Sequence, residues 1–337
     1  LEEKRGRYDI VMLPGFFWLP GMAHKGYLAP LSDCVPGGAA GGAPGSCKSP
    51  GMEGILPSLA EELSFSGKQY LLPAFAEVQT VIYRRDLAER AGLGILPCPL
   101  PLAEYLRAAS LLHDPPAVYG THLKGGPAES FPEWLPFLAG SGGELFGPDE
   151  EPLFDSDAGR KSLETMRSLL PLCAPRAHEG DNETINGLVM NGTVGIVNHW
   201  SGQLGALMGN GSNRFADRYA YTFLEHPWGT VWSFGINAAS KNRAAALSFM
   251  LHASGPECDR LQGNLSGSPT RRSTYLDGSR PWYPAVLGAL ERKRSFPSFV
   301  RFGDIAGSLY AMVTDVLAGR KKPADALAET AAAARLR

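Results

Sequence analysis

Six tryptophans stand at positions 18, 134, 200, 228, 232 and 282. Five lie in short loops or at predicted strand ends: Phe17-Trp18-Leu19-Pro20, Pro132-Glu133-Trp134, His199-Trp200-Ser201-Gly202, Pro227-Trp228-Gly229 and Val231-Trp232-Ser233. A flat indole face stacks on the C–H face of a pyranose, and its N–H donates a hydrogen bond. Open α/β sheets place ligands at the carboxyl ends of their strands. For any one ring, packing against its own loop is the stronger reading; for the five together, at least two are expected to face a ligand. Glu77, in Ala76-Glu77-Val78-Gln79-Thr80, would accept from sugar hydroxyls, with Gln79 beside it; a solvated turn carboxylate fits equally well. Arg271, in Ser268-Pro269-Thr270-Arg271-Arg272, could clamp neighbouring hydroxyls or a carboxylate in bidentate fashion; an exposed arginine pair is the alternative.

Signals for catalysis, metals and cofactors are absent. The glycine-rich stretch Gly37-Gly38-Ala39-Ala40-Gly41-Gly42 follows no predicted strand and opens no helix, so it fails the dinucleotide-binding context. There is no P-loop, HExxH, CxxC or GxSxG pattern. His178-Glu179 has no second ligand in register, and His113-Asp114 reads as a helix end. We therefore expect no catalytic residue, no metal and no cofactor. A cysteine nucleophile with a distant histidine partner stays open. Of five cysteines, Cys34 and Cys47 flank a Gly/Pro/Ala excursion. A disulfide there would contribute ~3 kcal/mol by loop closure and suit an oxidising compartment; two unrelated thiols fit as well.

The elements that must carry these residues follow from pattern. The 337 residues suggest about two domains. A formal net charge of −2 supplies no basic field for nucleic acid, and no apolar run is long enough to span a bilayer. Residues 8–13 read as a buried strand of a parallel sheet, stopped by Pro14-Gly15, with Phe16, Phe17 and Trp18 in an exposed loop after it. Strands are predicted at 69–74, 78–84, 193–198 and 232–237. Helices are predicted at 57–63, 86–91, 102–112, 155–170, 185–190, 241–253, 305–317 and 323–336. Asn191-Gly192 marks a turn. Alternation of this kind predicts α/β layers.

Several segments, in order, carry a resemblance. They are residues 8–13 with Trp18, then Gly26-Tyr27-Leu28-Ala29-Pro30-Leu31; residues 67–74 through Tyr83-Arg84-Arg85-Asp86-Leu87 and Ala91-Gly92-Leu93; Phe234-Gly235-Ile236-Asn237-Ala238-Ala239-Ser240-Lys241-Asn242; Ser268-Pro269-Thr270-Arg271-Arg272-Ser273; and a tail over 318–327. Their order and spacing resemble the extracellular solute-binding proteins of ABC sugar importers, the family that includes maltose-binding protein. The resemblance implies a two-lobed, type II periplasmic-binding-protein-like α/β fold with three hinge crossovers. Lobe 1 is expected at 1–75 and 233–270, and lobe 2 at 76–232 and 271–337. Roughly sixty N-terminal residues of such a fold, including two strands of lobe 1, are expected to be missing.

By the same resemblance Trp18, Glu77, Trp200, Trp232 and Arg271 sit where the family contacts sugar, with Gln79, Trp134 and Trp228 as weaker candidates. Leu309-Tyr310 stands where the maltose binder stacks a tryptophan, which argues against a maltodextrin ligand. The implied function is capture of a mono- or oligosaccharide, by a periplasmic or extracellular monomer with or without a lipid anchor, for delivery to ABC permease subunits. Nucleic acid is not an expected partner. A polyol, glycerol-phosphate-like or polyamine solute on the same fold is the alternative, and an enzyme on a bilobal scaffold is a third reading.

Overall fold

A computed structural model describes residues 7–34, 51–209, 211–266 and 268–336. The chain divides into two units, Leu1–Val78 with Gly229–Gly303 and Gln79–Trp228 with Asp304–Arg337. It passes between them at 78/79, 228/229 and 303/304. The crossovers expected from sequence stand at 75/76, 232/233 and 270/271.

Unit 1 is built on strand β8 (Gly229–Asn237). Strand β1 (Ile10–Pro14) pairs with it from Ile10↔Ile236 to Pro14↔Trp232, and β2 (Leu28–Ala29) pairs at Leu28↔Asn237. The first half of β5 (Leu71–Arg84) runs from Leu71↔Gly235 to Val78↔Gly229. All three pairings are antiparallel, which corrects the parallel sheet predicted for β1. The strand is not the buried one predicted either, since Leu13 alone of its five residues is buried and Met12 is 52 % exposed; a short apolar run encodes neither burial nor strand direction. A two-residue hairpin pair, β3 (Ser64–Phe65) and β4 (Lys68–Gln69), precedes β5.

The segment after β1 is not a loop but the helix Gly15–His24, with Phe16 buried and Trp18 45 % exposed. Phe16 stacks on Phe296 with centroids 4.0 Å apart, and Phe17 packs against Phe302. Gly15 admits no side chain, because a Cβ would lie 2.4 Å from the Glu62 carbonyl oxygen. The two strands predicted at 69–74 and 78–84 are one strand of 14 residues, irregular between Pro73 and Phe75. Pro73 has no N–H for the ladder. Its carbonyl accepts from Ser254 Oγ at 2.6 Å, and Ala76 N donates to the Ser268 carbonyl, so a neighbouring loop closes the gap.

Residues 271–303, expected in the second lobe, belong to unit 1. One tie is Asp259, 3 % exposed on the helix Pro256–Ser266. Its carboxylate accepts from Thr270 N (2.6 Å), Thr270 Oγ1 (2.7 Å), Arg271 N (3.3 Å) and Thr274 Oγ1 (2.7 Å). That fan of donors ties the start of the helix Arg272–Leu276 to unit 1, and Tyr275 then packs edge-on to Tyr283 of the helix Tyr283–Arg292.

In unit 2 the second half of β5 is flanked by β6 (Ile196–Trp200) and β7 (Tyr219–Thr222), both antiparallel to it. The helix Asp157–Leu169 is capped by Ser156 Oγ, which accepts from Gly159 N. The helix Asn182–Asn191 has a reciprocal cap between Asp181 and Thr184, and ends on Gly192 at φ 69°. That positive φ is what the Asn-Gly turn signal predicted. The tail forms the helices Phe302–Leu317 and Pro323–Leu336, close to the predicted bounds.

The helix Ser130–Gly140 was not predicted, because Pro132 and Pro136 interrupt the pattern. Pro132 lies in the first turn, where an N–H has no helical partner anyway. Pro136 removes the bond to the carbonyl of Pro132 four residues earlier. That carbonyl instead accepts from Gln79 Nε2 at 2.7 Å.

Removing the Asp259 carboxylate would strand several buried donors. We expect Asp259→Ala to lower stability by about 3 kcal/mol and Asp259→Asn by less. Chemical denaturation followed by circular dichroism checks this; an unchanged midpoint in Asp259→Ala would show that these bonds do not hold the 270–274 segment.

Candidate functional site

Unit 1 sets one tryptophan against one carboxylate. Trp232 Nε1 donates to Glu77 Oε2 at 3.2 Å, and the Trp232 ring lies nearly parallel to Phe75, with centroids 5.9 Å apart and planes at 16°. The three are partly exposed. Strand register explains the contact, since Phe75 faces Trp232 and Glu77 faces Thr230 across β5 and β8. Behind them sits Glu62. Its Oε2 accepts from Thr230 Oγ1 (2.8 Å) and Val231 N (3.1 Å), and its Oε1 from Lys293 Nζ and Ser295 Oγ. The Lys293 side chain has no exposed surface. Gly229 leaves no room for a side chain there, because a Cβ would lie 2.6 Å from the Glu77 carbonyl oxygen.

Unit 2 repeats the motif. Trp200 Nε1 donates to Glu129 Oε2 at 2.8 Å, and Asn182 Nδ2 donates to Glu129 Oε1 at 2.7 Å. Lys124 stands against this group with no exposed side-chain surface. Its Nζ is 3.9 Å from Glu129 Oε2, 3.5 Å from Glu133 Oε2 and 4.8 Å from the Trp200 ring centroid. Three elements converge to make this cluster. β6 ends at Trp200, the helix Ser130–Gly140 begins just after Glu129 and carries Glu133 in its first turn, and the extended run 121–126 brings Lys124. The run lies close against residues 177–180, where Gly125 N donates to Ala177 O and Gly126 N to Gly180 O. A Cβ on Gly125 would come within 2.6 Å of that Ala177 oxygen.

Burial shifts the titration of these groups. Glu133, wholly buried, is pushed up to about 7, since desolvation outweighs the pull of Lys124. His199 is held neutral by burial, with Lys124 adding to the effect. Burial also depresses His122 to about 4, partly offset by Asp181.

Several residues proposed from sequence have other work. Gln79 is 1 % exposed, and its amide is spent on Pro132 O and on Trp228 N, which donates to Gln79 Oε1 at 3.2 Å. Trp134 has no exposed surface; its Nε1 donates to Ser162 Oγ at 2.6 Å and its ring meets Phe154 edge-on, so it belongs to the core of unit 2. Trp228 is buried beside Gln79. Arg271, 2 % exposed, donates to the carbonyls of Glu53, Gly51 and Ser254, so its guanidinium clamps backbone and not a ligand. For the proposed disulfide, Cys34 is buried with its thiol on Pro30 O, and Cys47 lies outside the described residues. Sequence reasoning missed Lys124, Glu129, Glu133, Glu62 and Lys293. One signal was present: Glu129 and Glu133 are four residues apart, one helical turn. Among the described residues no group of three or more His, Cys, Asp or Glu could hold a metal ion, and no helix is long and apolar enough to cross a membrane.

The family described as bacterial extracellular solute-binding protein matches residues 1–257, and the chain belongs to that family. It is 24% identical over 270 residues to a probable amino-acid ABC transporter periplasmic-binding protein of Sinorhizobium fredii, covering 77% of this chain and 62% of that protein. It is 26% identical over 313 residues to the mannitol-binding protein of Pseudomonas aeruginosa, covering 87% and 68%. The chain thus spans less than two thirds of the length of the first of these relatives. Among solved structures, an ABC transporter solute-binding protein of Agrobacterium radiobacter K84 in complex with ribitol superposes with a TM-score of 0.86 at 23% identity, covering 99% of this chain and 86% of that one. A maltose-bound protein of T. maritima gives 0.83 at 16% identity, covering 99% and 86%. The fold is that of the two-lobed periplasmic solute-binding proteins.

A histidine whose folded value is depressed adds stability that is present above its unfolded value of 6.5 and is lost as pH falls toward about 4. His199 shifts in the same direction. We expect the protein to lose stability between pH 6.5 and about 4, and His122→Leu to lose less over that window. Melting temperature against pH for both proteins measures this; parallel curves would remove His122 as a contributor.

Proposed function

We propose that this chain is an extracytoplasmic receptor that captures a carbohydrate or polyol and delivers it to an ABC import permease, and that it is not an enzyme. One observation carries the reading: each unit holds a tryptophan whose indole N–H is fixed on a carboxylate, Trp232 on Glu77 and Trp200 on Glu129. A fixed ring next to an acceptor is the equipment for a solute with a C–H face and hydroxyl donors. Membership of the solute-binding family supports it. The mannitol-binding relative and the ribitol-bound structure support a polyol in particular.

A phosphorylated solute fits less well. In either unit it would meet a carboxylate beside the indole, and the guanidinium of Arg271 is already committed to backbone carbonyls. The two buried thiols, Cys34 and Cys173, give the enzyme reading little support. Burial raises Cys34, and pushes Cys173 up to about 12, so both stay protonated and weakly nucleophilic. Membership of the family supports a periplasmic or extracellular binding role.

A thermal-shift screen of sugars and polyols tests the proposal. A true solute at about one hundred times its dissociation constant should add ~2.7 kcal/mol of stability. Trp232→Ala should keep the far-ultraviolet spectrum of the parent and lose the shift. Silence across the whole panel, or turnover of a panel sugar, would overturn the receptor reading.

A further inference from the structure

We propose that Lys124 and Glu133 form a proton-linked pair that governs how strongly Glu129 accepts from a solute, so that binding at the Trp200–Glu129 edge is accompanied by release of a proton. The inference rests on the reading above that this edge takes solute.

The geometry is a row of alternating charge inside unit 2. Lys124 Nζ stands between two carboxylates, 3.5 Å from Glu133 and 3.9 Å from Glu129. The inner one, Glu133, has no exposed surface, and neither of its oxygens has a hydrogen-bond partner. The outer one, Glu129, keeps 17% of its side chain exposed and already holds the indole of Trp200 and the amide of Asn182. One ammonium therefore serves two acids. When Glu133 carries a proton, Lys124 has Glu129 as its one counter-charge among the described residues and draws on that carboxylate. When Glu133 is ionised, Lys124 is shared, and Glu129 is a stronger acceptor for a solute hydroxyl. Conversely, a solute hydroxyl on Glu129 weakens its hold on Lys124, which then favours the ionised form of Glu133.

The other titratable groups facing this row stay in one state. Tyr105 and Cys173 face Glu133, and Tyr310 faces Glu129; burial keeps both phenols and the thiol protonated. His199 faces Lys124 and is held neutral. Glu133 itself is displaced upward into the neutral range, so its proton is the exchangeable one. Asn198, which also faces Glu133, does not titrate.

Two measurements test this. The first needs no solute. The emission of Trp200, taken as the parent spectrum minus that of Trp200→Phe, should change with pH across the neutral range, and the change should vanish in Glu133→Gln. A pH-independent difference spectrum in the parent overturns the pair. The second is titration calorimetry of the strongest panel binder in two buffers of different ionisation enthalpy. We expect proton release near pH 7 and affinity rising about five-fold from roughly pH 5.5 to 8.5, within the usual range of site coupling. Glu133→Gln should hold a pH-independent affinity near the parent's acidic value. A solute that binds the parent with no proton release overturns this inference and leaves the receptor reading standing. Absence of any binder overturns the receptor reading, and the emission titration still judges the pair by itself. Should Glu133→Gln fold poorly, the two-buffer comparison on the parent decides alone.

Discussion

A lysine ammonium with no exposed surface has to be matched by carboxylate, because an unpaired charge in a protein interior is more costly than any packing around it can offset. This chain meets that demand twice, once in each unit, at Lys293–Glu62 and Lys124–Glu133. Neither pair is isolated. Glu62 also takes Thr230 Oγ1 and Val231 N, so the charge that answers Lys293 fixes the first residues of β8 after the chain re-enters unit 1. Lys124 in turn lies within cation–π reach of Trp200 and within ion-pair reach of Glu129. In both units the buried pair sits behind an indole that points its N–H at a second carboxylate. A pair of this kind contributes less to net stability than to the choice of a single arrangement, since other placements leave a charge unanswered.

The two pairs differ in how fully they are satisfied, and that separates their roles. Glu62 has four donors on its two oxygens, including a backbone N–H. It behaves as a structural knot, with β8, residues 293–295 and the end of the helix Pro57–Ala60 region drawn to one point. Glu133 is wholly buried, with the Lys124 ammonium at 3.5 Å as its counter-charge and Glu129 adding repulsion. Desolvation therefore dominates it, and the carboxyl is displaced toward neutrality. The linkage has a defined sign: a raised carboxyl adds stability below its unfolded value of 4.5, and this is lost as pH rises through about 7. His122 and His199 run the other way, so unit 2 holds opposing contributions across the mildly acid range.

Much of the fold was legible because it depends on local pattern. The Asn191-Gly192 turn and the two tail helices follow from residue types at fixed offsets, and they stand close to where pattern puts them. What pattern could not supply was non-local. The direction of β1 is set by its pairing with β8, more than two hundred residues later in the chain. The allegiance of residues 271–303 is set by contacts far apart in sequence, Asp259 with residues 270–274, Glu62 with Lys293 and Ser295, and Phe16 with Phe296. The site was legible in part. Trp232 with Glu77, and Trp200, were singled out as binding residues, and the structure shows each indole bonded to a carboxylate. Glu129 escaped notice because two prolines concealed the helix that follows it. Lys124 escaped because nothing in Leu123-Lys124-Gly125-Gly126 marks a lysine as buried.

Arg271 and Gln79 show why a shared position does not carry a shared role. Both are polar residues in segments that resemble a sugar-binding family, and both have the donors a ligand would want. Yet a donor serves a ligand only if the surrounding backbone leaves it free. The Pro73–Phe75 irregularity in β5 and the missing N–H of Pro136 each leave a backbone carbonyl without its regular partner. The second of these is answered by Gln79 and the first by Ser254. The Ser254 carbonyl then takes Arg271, together with those of Gly51 and Glu53. Each of these two interruptions of regular structure thus draws in a polar side chain. The indoles of the two units turn elsewhere: Trp232 Nε1 donates to Glu77, and Trp200 Nε1 and Asn182 Nδ2 donate to Glu129.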